Sequence, residues 1–511
     1  MKNYIYLFFF SGFILLTFSC DDFDELENSL ETERELAVPL FHTTTTLVDL
    51  LDGFNEETFV TMGPDDLITL NYKGDVTKRT ATELFSFIQL PPIPLLDSVS
   101  SFPFDLPGTL DVTLMRIKSG TIGLQVTNED FDEDVDVTVT IPQLRKNGNE
   151  YSKQRLMGPS SSNNNEWIDI APNNLAGYEL DGGDDSLKIY YNAIRQSDGE
   201  RVTFTDNLPI ILITGLEFQY IEGFWGTEPL DLARDTIEIE FFENWVQGDV
   251  YFEDPSIEIN VENSFGFPVR SQVNLLDILT VNEDVISLQS QYITDGIDFD
   301  YPALNELGVS KTTIFDFTKE NSNVVEVLSS GPVSVDYDID AISNPDGIQE
   351  IGFMLDTSAF KVQVTVELPF RGRVNNFKAK DVFNVNFDSY NNVRYIEFKM
   401  VADNEIPLGI DIQLYFADEN SNIIDSLYTN ETNILAAAPV DEFGDITGMP
   451  TETTTFATID AAKFERIKDA KKLIVEGAFF TTEAGASNAP IVNLKADQEV
   501  NIRMGMKVGT K

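Results

Sequence analysis

Four aspartates stand at alternate positions in the segment Asn128-Glu129-Asp130-Phe131-Asp132-Glu133-Asp134-Val135-Asp136. On an extended backbone, side chains two apart point the same way, so Asp130, Asp132, Asp134 and Asp136 could offer calcium a row of oxygen ligands. The pattern departs from a calcium-binding helix-loop-helix. Val135 stands where the sharp turn needs glycine, and Ile141 where a bidentate glutamate is needed. A solvated acidic loop is the expected state, calcium the subsidiary one, and no other cofactor or metal is expected. His42 is the only histidine and Cys20 the only cysteine, so the usual zinc sites of His and Cys cannot be assembled. A Ser-His-acid triad would have to use His42, and no Gly-x-Ser-x-Gly elbow supplies its nucleophile. Glycine motifs that cradle phosphates are absent as well. Glycoside hydrolysis needs only two carboxyl groups roughly 5–10 Å apart. With 86 acidic residues the chain neither excludes nor identifies such a pair. The stretch Glu222 to Glu228 sets Phe224 and Trp225 among acids, as a sugar-stacking site would, although aromatics in a β-rich chain more often fill cores.

These residues lie in a chain dominated by alternation. Thr121–Thr127, Val135–Ile141, Ile257–Val261, Lys361–Leu368 and Ile410–Phe416 each read with period two and are rich in Val, Ile, Thr and Phe. Such runs mark strands with one buried face. Turn signals separate them, among them Asn147-Gly148 and Asp346-Gly347. Long amphipathic helices are absent. Short helices are predicted over about 461–472 behind Asp460, and after Asn323, where Glu326 sits at the capping-box spacing. The predicted fold is mostly β, with tandem β-sandwich-like units and few short helices.

One pattern recurs around Asn128, Asn263 and Asn404: strand, asparagine, short connection, strand. Asparagine tolerates positive φ and bonds nearby backbone, which suits a strand end. Pro268 and Pro407 would then sit at strand entries, where a missing N–H does no harm; in the first copy the acidic link Glu129 to Asp134 replaces the proline. Downstream of each copy comes a strand, a short turn or helix, and another strand. This arrangement resembles the β-sandwich domain of late-embryogenesis-abundant-type proteins over about twenty residues per copy. The expected organisation is a signal peptide over 1–19, an acidic tether over 20–36, and units over 37–205, 206–345 and 346–511.

The chain opens with Lys2, an apolar run from Tyr4 to Phe18, and then Ser19-Cys20. Fifteen residues suit a signal-peptide core and fall short of the roughly 20 that span a bilayer. Ile14-Leu15-Leu16-Thr17-Phe18-Ser19-Cys20 resembles the lipobox of bacterial lipoproteins, which implies lipid attachment at Cys20. The acidic run beginning Asp21-Asp22-Phe23-Asp24-Glu25 resembles the export signal of surface lipoproteins in the Bacteroidetes. In other Gram-negative bacteria, aspartate at that place instead marks retention in the inner membrane. Loss of Lys2 on cleavage takes the formal charge from −52 to −53. A surface this negative repels phosphate backbones and anionic lipid headgroups, which argues against nucleic acid and leaves membrane contact to the acyl chain. The expected function is a non-enzymatic surface lipoprotein of the outer membrane, facing the exterior and binding or scaffolding an unidentified protein or glycan partner. The alternatives are a carboxylate-dependent glycan hydrolase, and a carrier of apolar ligands suggested by the 38 phenylalanines and the stretch Leu90 to Leu96.

Overall fold

The computed structural model describes residues 34–50, 58–63, 65–84, 91–96, 98–103, 110–169, 172–182, 186–239, 245–387 and 393–510. Within them the chain is mostly β, in antiparallel sheets, and no helix exceeds seven residues. Alternation accounts for the strands. In Val135–Lys146 the side chains of Val135, Val137, Val139 and Ile141 are at most 1% exposed, while the residues between them face outward. The helix behind Asp460 runs over Ala461–Ile467 and stops before Lys472, which opens the next strand. Asp460 caps it by accepting the Lys463 N–H at 2.7 Å, and Phe464 and Ile467 face the core. Val324–Ser329 does follow Asn323, but Asn323 makes no capping bond; its Oδ1 accepts the Gln289 N–H at 2.7 Å, pinning the helix start to a neighbouring segment instead.

The recurring pattern in the sequence is a recurring pairing scheme. The strands that lead into the three asparagines are Asp111–Thr127, Ser256–Asn263 and Val393–Asn404. On one side they pair with Glu166–Ile168, Lys311–Phe317 and Thr451–Asp460, and on the other with Ile210–Phe224, Ala359–Pro369 and Glu499–Thr510. The strands that follow the asparagines are Val135–Lys146, Val269–Thr280 and Leu408–Ala417. Each forms a hairpin with the next segment and pairs on its far side with Ser186–Arg195, Pro332–Ser343 or Lys472–Thr481. Two ladders of this kind with inward-facing apolar rows make a sandwich. In the first unit the short strand Glu179–Asp181 touches both ladders and joins them into one sheet.

The boundaries of the units differ from those expected at 205/206 and 345/346. Ile210–Phe224 closes unit 1 and Ala359–Pro369 closes unit 2, so each expected boundary cuts off the last strand of the preceding unit. Nor does the segment from residue 37 belong to unit 1. Arg34–Thr46, which begins inside the expected tether, lies along Glu499–Thr510 in unit 3. Ile68–Thr80 lies along Ala359–Pro369 in unit 2, and Ile93–Pro94 along Ile210 and Ile211 in unit 1. The chain thus passes the three units in reverse order before building them. Two further strands bind neighbours together: Ile351–Leu355, from the unit 2 stretch, pairs with Ile210–Phe224, and Trp245–Phe252 pairs with Arg371–Asn384 of unit 3. The physical reason is that period-two alternation reports a buried face and carries no information about which strand lies alongside.

Candidate functional site

The three asparagines define one end of each unit, here termed its head. All are fully buried. Asn128 Oδ1 accepts the Phe131 N–H at 3.0 Å, Asn263 Oδ1 the Phe265 N–H at 2.9 Å, and Asn404 Oδ1 the Ile406 N–H at 2.9 Å. Their amide groups donate to carbonyls of a later loop, Gly158 at 2.9 Å, Asp300 at 3.1 Å and Ala436 at 2.8 Å. The same side chain therefore closes its own turn and holds a second loop to it, three times over. The strand-end role was legible in the sequence; the bond to a distant carbonyl carried no sequence signal.

Two of the three heads are docked. In unit 3 the loop after Asn404 places Ile406 at 3% exposure in a cluster with Ala402, Leu435, Val500 and Leu47, whose N–H bonds the Gln498 carbonyl, against Ile68 at the end of unit 2. In unit 2 the loop after Asn263 places Phe265 and Phe267 in the core shared with unit 1. Phe267 stacks on Trp225 with ring centroids 3.9 Å apart. Burying side chains of this size contributes roughly 1.5–3 kcal/mol each. Gly266 between them exchanges backbone hydrogen bonds with Phe353, and a Cβ there would sit 2.1 Å from the Phe353 ring, so only glycine admits this approach. Trp225, considered above as a sugar-stacking residue, is 4% exposed and forms part of the joint. A small depression remains beside it, edged by Tyr301, Ile348 and Glu350.

The third head, that of unit 1, meets no other unit among the described residues. Asp111 and Phe224 lie paired at the end of unit 1 that faces unit 2, and Asn128 lies at the opposite end of the same strand. Its loop carries acids where the other heads carry Phe or Ile. Phe131 turns inward against the buried Phe204 at 5.9 Å. The four aspartates do not converge. Asp130 accepts the Thr205 hydroxyl at 2.7 Å and its N–H at 2.9 Å. Asp132 accepts the Ser161 hydroxyl at 2.6 Å, Asp136 accepts the Gln154 amide at 2.6 Å, and Asp134 lies exposed between them. Among the described residues no group of three or more His, Cys, Asp or Glu is placed to hold a metal ion, so the calcium expectation finds no ligand set here. Arg195 joins the rim, bonding Asp198 at 2.5 Å and Glu200 at 3.3 Å, and this contact holds the Asp198 carboxyl below its ordinary range. The surface of this head is polar and cross-braced, with Ser160, Ser161, Ser162 and Asn163 beside the acidic loop.

His42 sits on the exposed face of Arg34–Thr46, 3.2 Å from the Asn501 side-chain oxygen, far in sequence and pairing from the unit 1 head. Among the described residues every carboxyl with a displaced pKa is displaced downward. Hydrogen bonds from Gln363 to Asp75, from the Thr80 N–H to Glu83, from Lys311 to Glu306, from Asn422 to Asp418 and from Lys495 to Asp445 are leading causes, and Arg466 acts against burial at Asp425. A glycosidase acid needs the opposite displacement, so this chemistry gives the hydrolase alternative no support. Ile93 and Leu95, from the stretch suggested for apolar ligands, fill the unit 1 core at 1% and 0% exposure. Cys20, Asp21, Asp22, Asp24 and Glu25 lie outside the described residues. Among the described residues no helix is long and apolar enough to cross a membrane.

No protein-family model matches the chain, and no curated protein does. Solved structures give distant likenesses. A protein of Parabacteroides distasonis ATCC 8503, described as secreted, is 11% identical over 57% of this chain and 89% of its own, with a TM-score of 0.27. The VP2 protein of infectious bursal disease virus is 8% identical over 98% of this chain and 83% of its own, with a TM-score of 0.14. A triple jelly roll protein of an archaeal virus turret is 9% identical over 84% and 92%, with a TM-score of 0.11. Likeness at this level carries no argument about activity.

Proposed function

We propose that the protein is a non-enzymatic lipoprotein of the outer membrane, held through Cys20 on the exterior face, where it displays a binding or scaffolding surface to a protein or glycan partner. The observation that carries this reading is the placement of Arg34. It pairs with Thr510 at the free end of unit 3, and the head of unit 1 lies beyond two docked joints at the other extreme of the stack. A chain held a short way before Arg34 therefore presents the head of unit 1 farthest from its anchor. The hydroxyl and amide groups of that head suit hydrogen bonding to a polar partner, and its acids keep it soluble. The expected result for Cys20→Ala is loss of the protein from the membrane fraction into the soluble one, with the mass of the acyl chains missing from the N-terminal peptide. If Cys20→Ala stays with the membrane, the anchor lies elsewhere and the reading fails.

A further inference from the structure

We propose that the N-terminal strands Arg34–Thr46 and Ile68–Thr80 form a tension-carrying strap, which sets the stack to resist a pull between its anchor and the head of unit 1. The inference rests on the reading that the chain is held from its N-terminal side. Arg34 lies at the free end of unit 3, opposite Thr510, and Thr46 lies opposite Glu499. Leu47, 2% exposed, is built into the joint with unit 2. Ile68 belongs to that same joint, and Ala81, after Thr80, is buried in the core shared by units 1 and 2. Leu95 then bonds the Pro209 carbonyl beside the start of Ile210–Phe224, the end of that strand remote from unit 2. The described strands between residues 34 and 95 therefore follow one another, in chain order, from one extreme of the stack to the other, in the direction that tension would act.

The pairing makes that path strong. Arg34–Thr46 shares twelve register positions with Glu499–Thr510, and Ile68–Thr80 shares eleven with Ala359–Pro369. Interstrand hydrogen bonds stand perpendicular to antiparallel strands. A pull on Arg34 away from the head slides its strand along its own axis, so all twelve positions share the load. A pull on Arg34 away from Thr510, its direct neighbour, opens the same ladder one position at a time.

The two geometries can be compared by single-molecule pulling on the unlipidated full chain. One handle uses the thiol of Cys20, and the second is a cysteine at Asn163→Cys, on the exposed rim of the unit 1 head, or at Thr510→Cys. The first rupture is expected at roughly twofold or more the force in the Cys20-to-163 geometry, because load is shared there and concentrated in the other. Ser161→Cys is a second head handle and should reproduce the higher force. Equal forces, or a lower force toward the head, would overturn the strap. Acylation plays no part in this measurement, so a failure of the membrane address would leave the rupture forces as they are, and a failure of the strap would leave the address intact.

Discussion

Asn404→Ala is expected to destabilise unit 3 by about 3 kcal/mol, since it strands a buried donor and buried acceptors at once and each such group costs roughly 1–3 kcal/mol. Asn404 is fully buried and donates to the carbonyls of Ile406 at 3.0 Å, Leu408 at 3.0 Å and Ala436 at 2.8 Å, while its own oxygen takes the Ile406 N–H. Alanine leaves these backbone groups without the partner that water cannot replace. Asn404→Asp keeps the shape and removes the donor, setting a carboxylate against three carbonyl oxygens. Its pKa in the folded state would be raised, because only the protonated acid can donate. The sign follows: the folded form of that variant is favoured below the ordinary carboxyl range and loses stability as pH rises through the raised value. Urea denaturation at two pH values reads both effects. Asn163→Ala, on the exposed rim, serves as the control and should leave the midpoint in place. An Asn404→Ala variant as stable as the parent would contradict the role given to the three buried asparagines.

Trp225→Ala is expected to cost about 3–5 kcal/mol, the range for removing a buried aromatic ring, and to uncouple unit 1 from unit 2. The indole is stacked on Phe267, which belongs to the head of unit 2, while Gly266 beside it exchanges backbone bonds with Phe353 on the strand that pairs with unit 1. Loss of the ring opens a cavity where the unit 1 core meets Phe267 of unit 2. Calorimetry should then resolve a separate, earlier transition, and amide exchange at Gly266 and Phe353 should quicken well before exchange at Val137 or Val139 in the unit 1 core. A single unshifted transition would mean that the stack is held by its cross-pairing strands alone.

Much of this architecture was legible in the residues. Alternation located the strands, and the recurrence of asparagine at 128, 263 and 404 marked a unit used three times, with strands opening directly after Pro268 and Pro407. The acidic link after Asn128, which departs from the other copies, now has a physical setting: among the described residues it belongs to the head that docks on no other unit. What was not legible is pairing at a distance. Nothing in Arg34–Thr46 names Glu499–Thr510 as its neighbour, because an edge strand with one buried face fits any complementary edge. The same ambiguity shifted both unit boundaries by one strand. Trp225 illustrates the limit for sites: acids and aromatics close in sequence read alike for a sugar platform and for a joint, and only burial separates them.

We propose that a lipid on Cys20 holds the stack at the free end of unit 3, with the head of unit 1 displayed outside the cell. Labelling intact cells with a membrane-impermeant maleimide probes both ends of this arrangement, since Cys20 is the only native cysteine and a sulfur joined to lipid as a thioether cannot react. The native protein should take no label, and Asn163→Cys should be fully labelled before the outer membrane is opened. Label on the native protein, or label on Asn163→Cys only after the membrane is broken, would contradict this arrangement.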